Sequence, residues 1–361
     1  MKVGVTFNCS TDSFFSNGLN YNCLLWYHFL EECGYIPYIL THNSEGKTEE
    51  LMITKNENRY RCINYDLNNL TNIDSLYLYK ELKVIYYCGF YSNLLLNYSK
   101  SKKHVYIMMG NEYKVGVQSI IDKTKNSISC LDYDEIWISP QFEFSKDYLE
   151  ITYKTKVVVC PYVWEPWLID KYDTKNKTKK LGNTIDVAIM EPNINYGKTC
   201  LIPISICEAN EELINSVYVF GGKKLAKNKF MMEFMHNRKL SNAKKISFED
   251  RIALPTIVSR CNVVVSCNED WDLNYVFLEC FYLGIPLIHN STYLKDYGYY
   301  YDDLQISQTK DLFNKIKTEF NKEEYIEKHK DVLHKYSIYN RENQKWIKDR
   351  NELLFEGECV L

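Results

Sequence analysis

The sequence has 361 residues, of which 45% are apolar and 25% are charged, values typical of globular proteins that exclude an intrinsically disordered chain. One hydrophobic core rarely serves a chain of this length, so we expect two domains of roughly 150 to 200 residues each. The net charge is -3, and Lys and Arg are mixed along the chain with Asp and Glu. Because no basic field results, nucleic acid is not an expected partner.

The first residues and the cysteines indicate a soluble cytoplasmic protein. Residues 3–7 form an apolar run that is too short for a signal peptide and lacks a cleavage-site pattern. No apolar run in the sequence reaches the length of a membrane span. The 13 cysteines lie mostly inside apolar runs without a C-x-x-C pair, which favours buried thiols in a reducing compartment over disulfides or a zinc site.

In the first half of the chain, short apolar runs alternate with segments of helical period. The clearest helix covers residues 19–33, where Leu24, Leu25 and His28 share one face and Gly34 ends the helix. This alternation predicts a parallel α/β domain. The predicted strands of this half are residues 3–7, 35–40, 84–88, 104–109, 135–139 and 156–160.

A polar stretch rich in Lys, Thr and Asn, residues 170–183, interrupts the alternation, which then restarts. The restart predicts a second Rossmann-like domain, so we expect domains at residues 1–165 and 166–335. Residues 336–361 are expected to form a helix that packs back toward the first domain. In the second half the predicted strands are residues 186–190, 216–220, 245–248, 262–266 and 286–289, and the predicted helices are residues 199–213, 228–235, 251–260 and 273–283.

The loop after the first strand of the second domain carries Lys198, at the start of the next predicted helix. Loops at the carboxyl ends of parallel strands bind ligands in such folds, and helix amino termini favour phosphate. A lysine in a first helical turn opposes the helix dipole, so a bound diphosphate is favoured over a merely exposed lysine. We assign Lys198 to the diphosphate and Asn193, from the same loop, to the donor site.

Two other loops of the second domain carry basic residues. Arg251 follows the strand at residues 245–248 and serves either the diphosphate or a salt bridge at a helix start. Gly221 and Lys223 follow the strand before it and are candidates to approach a phosphate, although two glycines and two lysines are a weak motif.

In the first domain, Asn17 and Gly18 follow the first strand. The glycine allows backbone N–H groups to approach a phosphate or sugar, while a capped helix start is an equal alternative. Asn111 and Glu112 follow the strand at residues 104–109, at the same edge of the predicted sheet. They offer polar groups to the acceptor or to the donor sugar.

The segment at residues 270–290 carries the strongest local pattern. A helix that contains Glu279 ends in Leu-Gly-x-Pro and passes directly into an apolar strand. This resembles the donor-site segment of retaining GT-B glycosyltransferases with a family 4-like donor domain, and the resemblance implies that Glu279 binds the ribose hydroxyls. A carboxylate suits that role because it accepts two adjacent O–H donors. The alternative is a solvated helix residue, but a bare carboxylate between Leu278 and Cys280 would be costly there. We expect the carboxylate to face water when no ligand is bound.

The same resemblance concerns the start of this helix. The family pattern has another acidic residue eight positions before Glu279, for the transferred sugar, and Trp271 stands there. Asp270 and Asp272 are the neighbouring acidic candidates, and we assign Asp272 to the catalytic site. The predicted donor site also includes Asn274 and Tyr275.

Five stretches spread over nearly the whole chain resemble an uncharacterised family of bacterial and large-virus proteins related to GT-B glycosyltransferases. The stretches are residues 17–22, 110–113, 133–137, 191–201 and 273–301. The resemblance implies an α/β GT-B fold, in which two Rossmann-like domains have parallel sheets facing a central cleft, and it places Phe248 against the nucleobase. A viral source would put the protein in the host cytoplasm.

Together these observations predict a glycosyltransferase that moves a sugar from a nucleotide-sugar, expected to be a UDP-sugar, to a glycan or other hydroxyl acceptor with retention. No cofactor is expected. Two D-x-D triplets, residues 132–134 and 270–272, have the form that metal-dependent glycosyltransferases use, but the first precedes a strand and the second lies in the ribose segment, so no metal is predicted. The alternatives are a nucleotide-sugar epimerase on the same fold and a catalytically inactive sugar-binding or scaffold protein.

Overall fold

The computed structural model describes residues 1–7, 18–42, 60–65, 73–88, 95–96, 102–123, 132–170, 177–182 and 184–356. The chain divides into two compact units. Unit 1 comprises Met1–Trp164 and Tyr336–Leu361, and unit 2 comprises Glu165–Lys335. None of the helices within the described ranges is long and apolar enough to cross a membrane.

Unit 1 is built on one parallel sheet. Its strands are β1 (Lys2–Phe7), β2 (Ile36–His42), β3 (Cys62–Tyr65), β4 (Val84–Cys88), β5 (Lys103–Met108), β6 (Glu135–Ile138) and β7 (Val157–Val159). Its helices before residue 165 are α1 (Gly18–Glu32), α2 (Ile73–Glu81), α3 (Glu112–Ile121) and α4 (Lys146–Tyr153). Among the described residues the strand order is β3-β2-β1-β4-β5-β6-β7, and all pairs are parallel. Trp26 of α1 packs on Trp137 of β6 with ring centroids 5.9 Å apart, so the helix covers the sheet.

Unit 2 contains a second parallel sheet. Its strands are β8 (Ile185–Ile189), β9 (Ile214–Phe220), β10 (Ile246–Glu249), β11 (Val263–Val265), β12 (Leu287–His289) and β13 (Tyr299–Tyr300). Its helices are α5 (Trp167–Asp170), α6 (Leu201–Ala209), α7 (Lys229–Met235), α8 (Lys239–Asn242), α9 (Tyr275–Leu283), α10 (Thr309–Glu319), α11 (Lys322–Lys328) and α12 (Lys330–Lys335). The described strands lie in the order β10-β9-β8-β11-β12-β13. The chain adds β9 and β10 on one side of β8 and then crosses over to add β11, β12 and β13 on the other side, so the switch point lies between β8 and β11. In doubly wound sheets, ligands bind outside the carboxyl ends of the strands at such a switch point.

The last helix, α13 (Arg341–Glu356), belongs to unit 1. Nε of Arg350 donates to Oε2 of Glu135 at 2.7 Å, and the two residues form a salt bridge that is almost wholly buried. Trp346 meets Trp137 edge to face, with centroids 5.0 Å apart. A buried ion pair and an aromatic contact therefore join the helix to strand β6.

The strands predicted from the sequence are present in the structure, whereas one predicted helix is not. Each predicted strand has a counterpart within a few residues, whereas β3 and β13 were not predicted because runs of four and two residues are too short to show a period. The predicted helix at residues 251–260 is wrong. Only a single turn, Leu254–Thr256, forms there. Pro255 explains the difference, because proline lacks an N–H donor and disfavours helical geometry at the residue before it.

Candidate functional site

At the switch point of unit 2, residues that follow β8 and β11 form a buried polar network. The hydroxyl of Ser266 donates to Oε1 of Glu191 and accepts from Nδ2 of Asn268 at 2.8 Å. Only 1% of Glu191 is exposed, and its Oε2 has no hydrogen-bond partner among the described residues. The network therefore holds one acidic group in place at the carboxyl edge of the sheet.

Lys198 lies in the loop after β8 and points its charge at an aromatic ring. Its Nζ is 5.7 Å from the centroid of Trp271, and within the described chain it forms neither a salt bridge nor a hydrogen bond. Trp271 packs directly on Gly197, where a Cβ would overlap Cζ3 of the indole and lie 2.6 Å from the carbonyl oxygen of Glu269. Glycine is required at this close approach, and it lets the indole lie beside the lysine.

Burial and neighbouring charge shift the pKa values of this site. Burial raises the pKa of Glu191 to about 7, against the opposing effects of the Ser266 hydroxyl and of the Lys198 charge. Burial also lowers the pKa of Lys198 to about 8. The charge of Glu191 acts to raise this pKa, whereas the positive charge of Arg251 lowers it further. The charge of Arg251, which the sequence assigned either to the diphosphate or to a salt bridge, therefore acts on Lys198. An anion bound beside Lys198 would stabilise its charged form.

Glu279 lies on α9, and its exposure differs from the one expected from the sequence. The carboxylate was expected to face water, but the residue is only 6% exposed, because α9 is packed on several sides. Phe277 contacts His289 of β12, and Phe281 stacks on His329 with centroids 4.2 Å apart. Burial raises the pKa of Glu279 to about 7, and its carboxyl forms no hydrogen bond or salt bridge within the described ranges. It is therefore neither a solvated helix residue nor a member of a buried ion pair.

The loops after β9 and β10 lie at the same edge of the sheet. Gly221 has φ of 80°, and a Cβ there would lie 3.3 Å from the carbonyl oxygen of Glu191. Phe248 lies against the adjacent Gly222, where a Cβ would come within 2.8 Å of the ring. Lys223 differs from Lys198, because it forms an exposed salt bridge with a neighbouring carboxylate, that of Asp250.

Two predicted asparagines shape loops of the site. Nδ2 of Asn193 donates to the carbonyl oxygen of Glu191 at 2.7 Å, and its Oδ1 accepts from the backbone N–H of Cys200 at 2.8 Å. Asn274 caps α9, since its Oδ1 accepts from the backbone N–H of Val276 at 3.2 Å. Their amide oxygens are therefore used by the backbone. Tyr275 is half-buried in the first turn of α9.

One aspartate of each D-x-D triplet accepts hydrogen bonds from the fold. Oδ1 of Asp272 accepts from the backbone N–H of Thr292 at 2.8 Å and from its hydroxyl at 3.1 Å. Oδ2 of Asp134 accepts from the backbone N–H of His104 at 2.7 Å. Within the described part of the chain, no group of three or more His, Cys, Asp or Glu side chains is arranged to hold a metal ion.

The residues predicted in the first domain lie in unit 1. Oδ1 of Asn111 caps α3 by accepting from the backbone N–H of Lys114 at 3.1 Å, and burial raises the pKa of the adjacent Glu112. Gly18 begins α1 and is exposed, and no atom of the described residues lies within 4 Å of a hypothetical Cβ. Asn17 lies outside the described residues.

Sequence reasoning missed Glu191, Ser266 and Asn268 as site residues. A signal existed for Glu191, because an acidic residue directly after a fully apolar strand stands at the ligand-binding edge of a parallel sheet. Ser266 and Asn268 gave no such signal, since only the pairing of β8 with β11 brings them to Glu191.

Comparison with known proteins places the chain in a family. Residues 3–350 match the model of the family described as protein of unknown function (DUF2827). The chain belongs to this family. No curated protein matches the sequence significantly.

Solved structures similar to this DUF2827 protein are glycosyltransferases. A glycosyltransferase from Rickettsia africae has 15% identity and a TM-score of 0.59, with 98% of each chain covered. Anabaena HepE, crystallised with UDP and glucose, has 11% identity and a TM-score of 0.58 over 96% of this chain and 99% of its own. An alpha-glucosyltransferase in complex with UDP and a 13-mer DNA has 10% identity and a TM-score of 0.63 over 98% of this chain and 99% of its own. These likenesses show the fold, which is the two-domain GT-B fold with Rossmann-like units.

Proposed function

We propose that this DUF2827 protein is a glycosyltransferase that moves a sugar from a UDP-sugar to a hydroxyl group of a glycan or other acceptor. The observation that carries the proposal is Lys198, a half-buried cation without a salt bridge in the described chain, at the switch point of a Rossmann-like sheet. Burial lowers the pKa of Lys198, and the acidic neighbour Glu191 offsets this only in part, so a bound anion would stabilise the ammonium further. A diphosphate supplies that anion.

The other residues of unit 2 fit the remaining parts of the donor. The buried carboxyl of Glu279 accepts the two ribose hydroxyls, because it is the group in α9 that has acceptor capacity and no partner in the described structure. Phe248 offers an aromatic face to the nucleobase at the end of β10. The UDP in several structures of the same fold supports this choice of nucleotide.

In the proposed reaction, the bond between the anomeric carbon and the leaving phosphate oxygen breaks, and a bond to the acceptor oxygen forms. The acceptor proton passes to the leaving phosphate on the same face of the sugar, which gives retention without a protein nucleophile. Lys198 and Arg251 stabilise the negative charge that develops on the diphosphate. The proposal requires no cofactor.

The test has a binding stage and a turnover stage. Calorimetry should show UDP binding to the wild type and its loss in Lys198→Met, whereas Lys315→Met, a matched change of an exposed lysine on α10, should bind as the wild type does. Turnover of UDP-sugars is then measured with and without a mixed panel of hydroxyl acceptors. Transfer that requires an acceptor supports the proposal. Release of UDP or epimerisation without an acceptor would identify an epimerase, and binding without turnover would identify an inactive sugar-binding protein.

A further inference from the structure

The segment at residues 221–245 of unit 2 concentrates positive charge. It holds eight Lys or Arg residues and one Glu, in a chain whose net charge is -3. Some of these cations are used locally, as Lys223 is by Asp250. Four exposed lysines form no salt bridge with any described residue: Lys224, Lys227, Lys239 and Lys244. We call the exposed residues of this segment the basic patch.

The basic patch also exposes apolar side chains. Phe230 and Met232 of α7 are 60% and 54% exposed, whereas Met231 and Met235 of the same helix are buried in the core of unit 2. The helix is therefore fixed by its inner face, and the exposed side chains of Phe230 and Met232 lie on either flank of that face. Phe230 stacks on Phe234 with centroids 6.1 Å apart, so its ring is supported from behind.

We infer that the basic patch docks on a bilayer surface that contains anionic phospholipids. Exposed lysines and exposed Phe and Met side chains in one segment match both layers of such a surface, since headgroup phosphates attract the ammonium groups and the acyl boundary accepts the apolar groups. A nucleic acid would satisfy the lysines but give Met232 no environment better than water. A second copy of the chain would place like charges against each other across a symmetric contact, which is unfavourable.

The position of the basic patch relates it to the candidate site. It begins directly after β9, where Gly221 lies against the backbone of Glu191, so the patch starts at the carboxyl edge of the sheet that carries Lys198. Docking there would bring this edge close to the headgroups. The inference goes beyond the proposed function and does not depend on it.

Vesicle co-sedimentation tests the inference with the full chain. The wild type should sediment with vesicles of phosphatidylcholine and phosphatidylglycerol and not with phosphatidylcholine alone, and added salt should release it. Two variants separate the contributions: Lys224→Glu with Lys227→Glu changes the charge, and Phe230→Ser with Met232→Ser removes the apolar contact. Each should reduce partitioning roughly tenfold or more.

A matched control and a fold check make the result decisive. Lys315→Glu with Lys317→Glu makes the same charge change on exposed positions of α10 and should leave vesicle binding unchanged. All substituted side chains are exposed, so melting temperatures should stay near that of the wild type. Equal binding to neutral vesicles, or equal loss in the α10 control, would overturn the inference. Absence of vesicle binding by the wild type would also overturn it, and retention of single-stranded RNA would then point to a nucleic acid.

Discussion

Replacement of Glu279 by Gln should change the pH dependence of stability in a direction set by the burial of its carboxyl. Burial raises the pKa of Glu279 from the ordinary value of 4.5 to about 7. Between these values the folded protein binds more protons than the unfolded chain, so stability falls as the pH rises. The contribution of the protonated carboxyl is fully present below pH 4.5 and is lost by about pH 7. At about 1.4 kcal/mol per pKa unit, the loss amounts to about 3 kcal/mol.

Gln is neutral at every pH, so Glu279→Gln lacks this loss. The stability of the variant relative to the wild type should therefore increase by about 3 kcal/mol between about pH 4 and pH 8. The free-energy cost of burying the Gln amide does not depend on pH, so it cancels when the stability difference between variant and wild type is compared at two pH values. Scanning calorimetry measures this change in relative stability as a shift in the melting transition of unit 2, roughly 2 to 4 °C per kcal/mol. Glu319→Gln, at an exposed position of α10, is the control that should show no such trend.

Donor binding should change in the opposite direction. Ribose hydroxyls bind the ionised carboxyl, so the apparent affinity follows the ionised fraction, which falls about tenfold from pH 8 to pH 6 for a pKa near 7. Glu279→Gln should bind UDP-glucose about tenfold to a hundredfold more weakly at pH 8, because charge-assisted hydrogen bonds are lost. Lys198 titrates in both proteins, so the ratio of the two affinities isolates Glu279. UDP-glucose is preferred to UDP, whose terminal phosphate itself ionises near pH 6.

Two outcomes would refute this reasoning. One is equal affinity of the wild type and Glu279→Gln for UDP-glucose at pH 8, which would remove Glu279 from the donor site. The other is a stability difference that stays constant from pH 4 to pH 8, which would mean that the pKa of the carboxyl is the same in the folded protein as in the unfolded chain and that burial does not raise it.

Three further predictions concern the loop after β8 and the absence of a metal requirement. Lys198→Met should weaken UDP-glucose binding on the order of a hundredfold. Wild-type affinity should fall above pH 8, because burial lowers the pKa of Lys198 to about 8 and the ammonium loses its proton there. A wild-type affinity that calorimetry finds unchanged from pH 7 to pH 9 would contradict this. Gly197→Ala should destabilise the protein by about 1 to 3 kcal/mol, because the new methyl group overlaps Trp271. Gly110→Ala, where no atom lies within 4 Å of a Cβ, should melt as the wild type does. Donor binding should survive EDTA, and a loss that manganese restores would revive a metal-dependent mechanism.

The fold could be predicted from the sequence because strand and helix periods alternate along nearly the whole chain. Parallel strands buried on both faces, such as β8 and β11, appear as short apolar runs and are readily found. The predicted helix at residues 251–260 failed because Pro255 outweighed the apolar spacing. The position of Lys198 after a strand was sufficient to place it at the carboxyl edge of the parallel sheet, where the structure has it, while its role stays a prediction.

The environment of the candidate site could not be predicted in the same way. A resemblance selected Glu279, but its burial depends on contacts with β12 and with His329, which lies 50 residues further along the chain. The network around Glu191 joins residues that are 75 positions apart in sequence. Contacts of this kind depend on tertiary packing, which local patterns do not encode.

The two ends of β8 carry buried acids whose pKa values are shifted in opposite directions. At its amino end, Asp186 is as buried as Glu191, yet it forms a salt bridge with Lys179 and accepts from Nδ2 of Asn215 at 2.8 Å. Burial would raise the pKa of Asp186, but hydrogen bonds from these partners and from Ser216 hold it below its ordinary value. At the carboxyl end, Glu191 keeps one oxygen unpartnered among the described residues and its pKa is raised. The two acids therefore differ in the direction of their pKa shifts, which is downward at the amino end and upward at the carboxyl edge, where such folds bind ligands. A buried carboxyl with a raised pKa bears a stability cost when it is ionised, and such a cost is expected at a functional site.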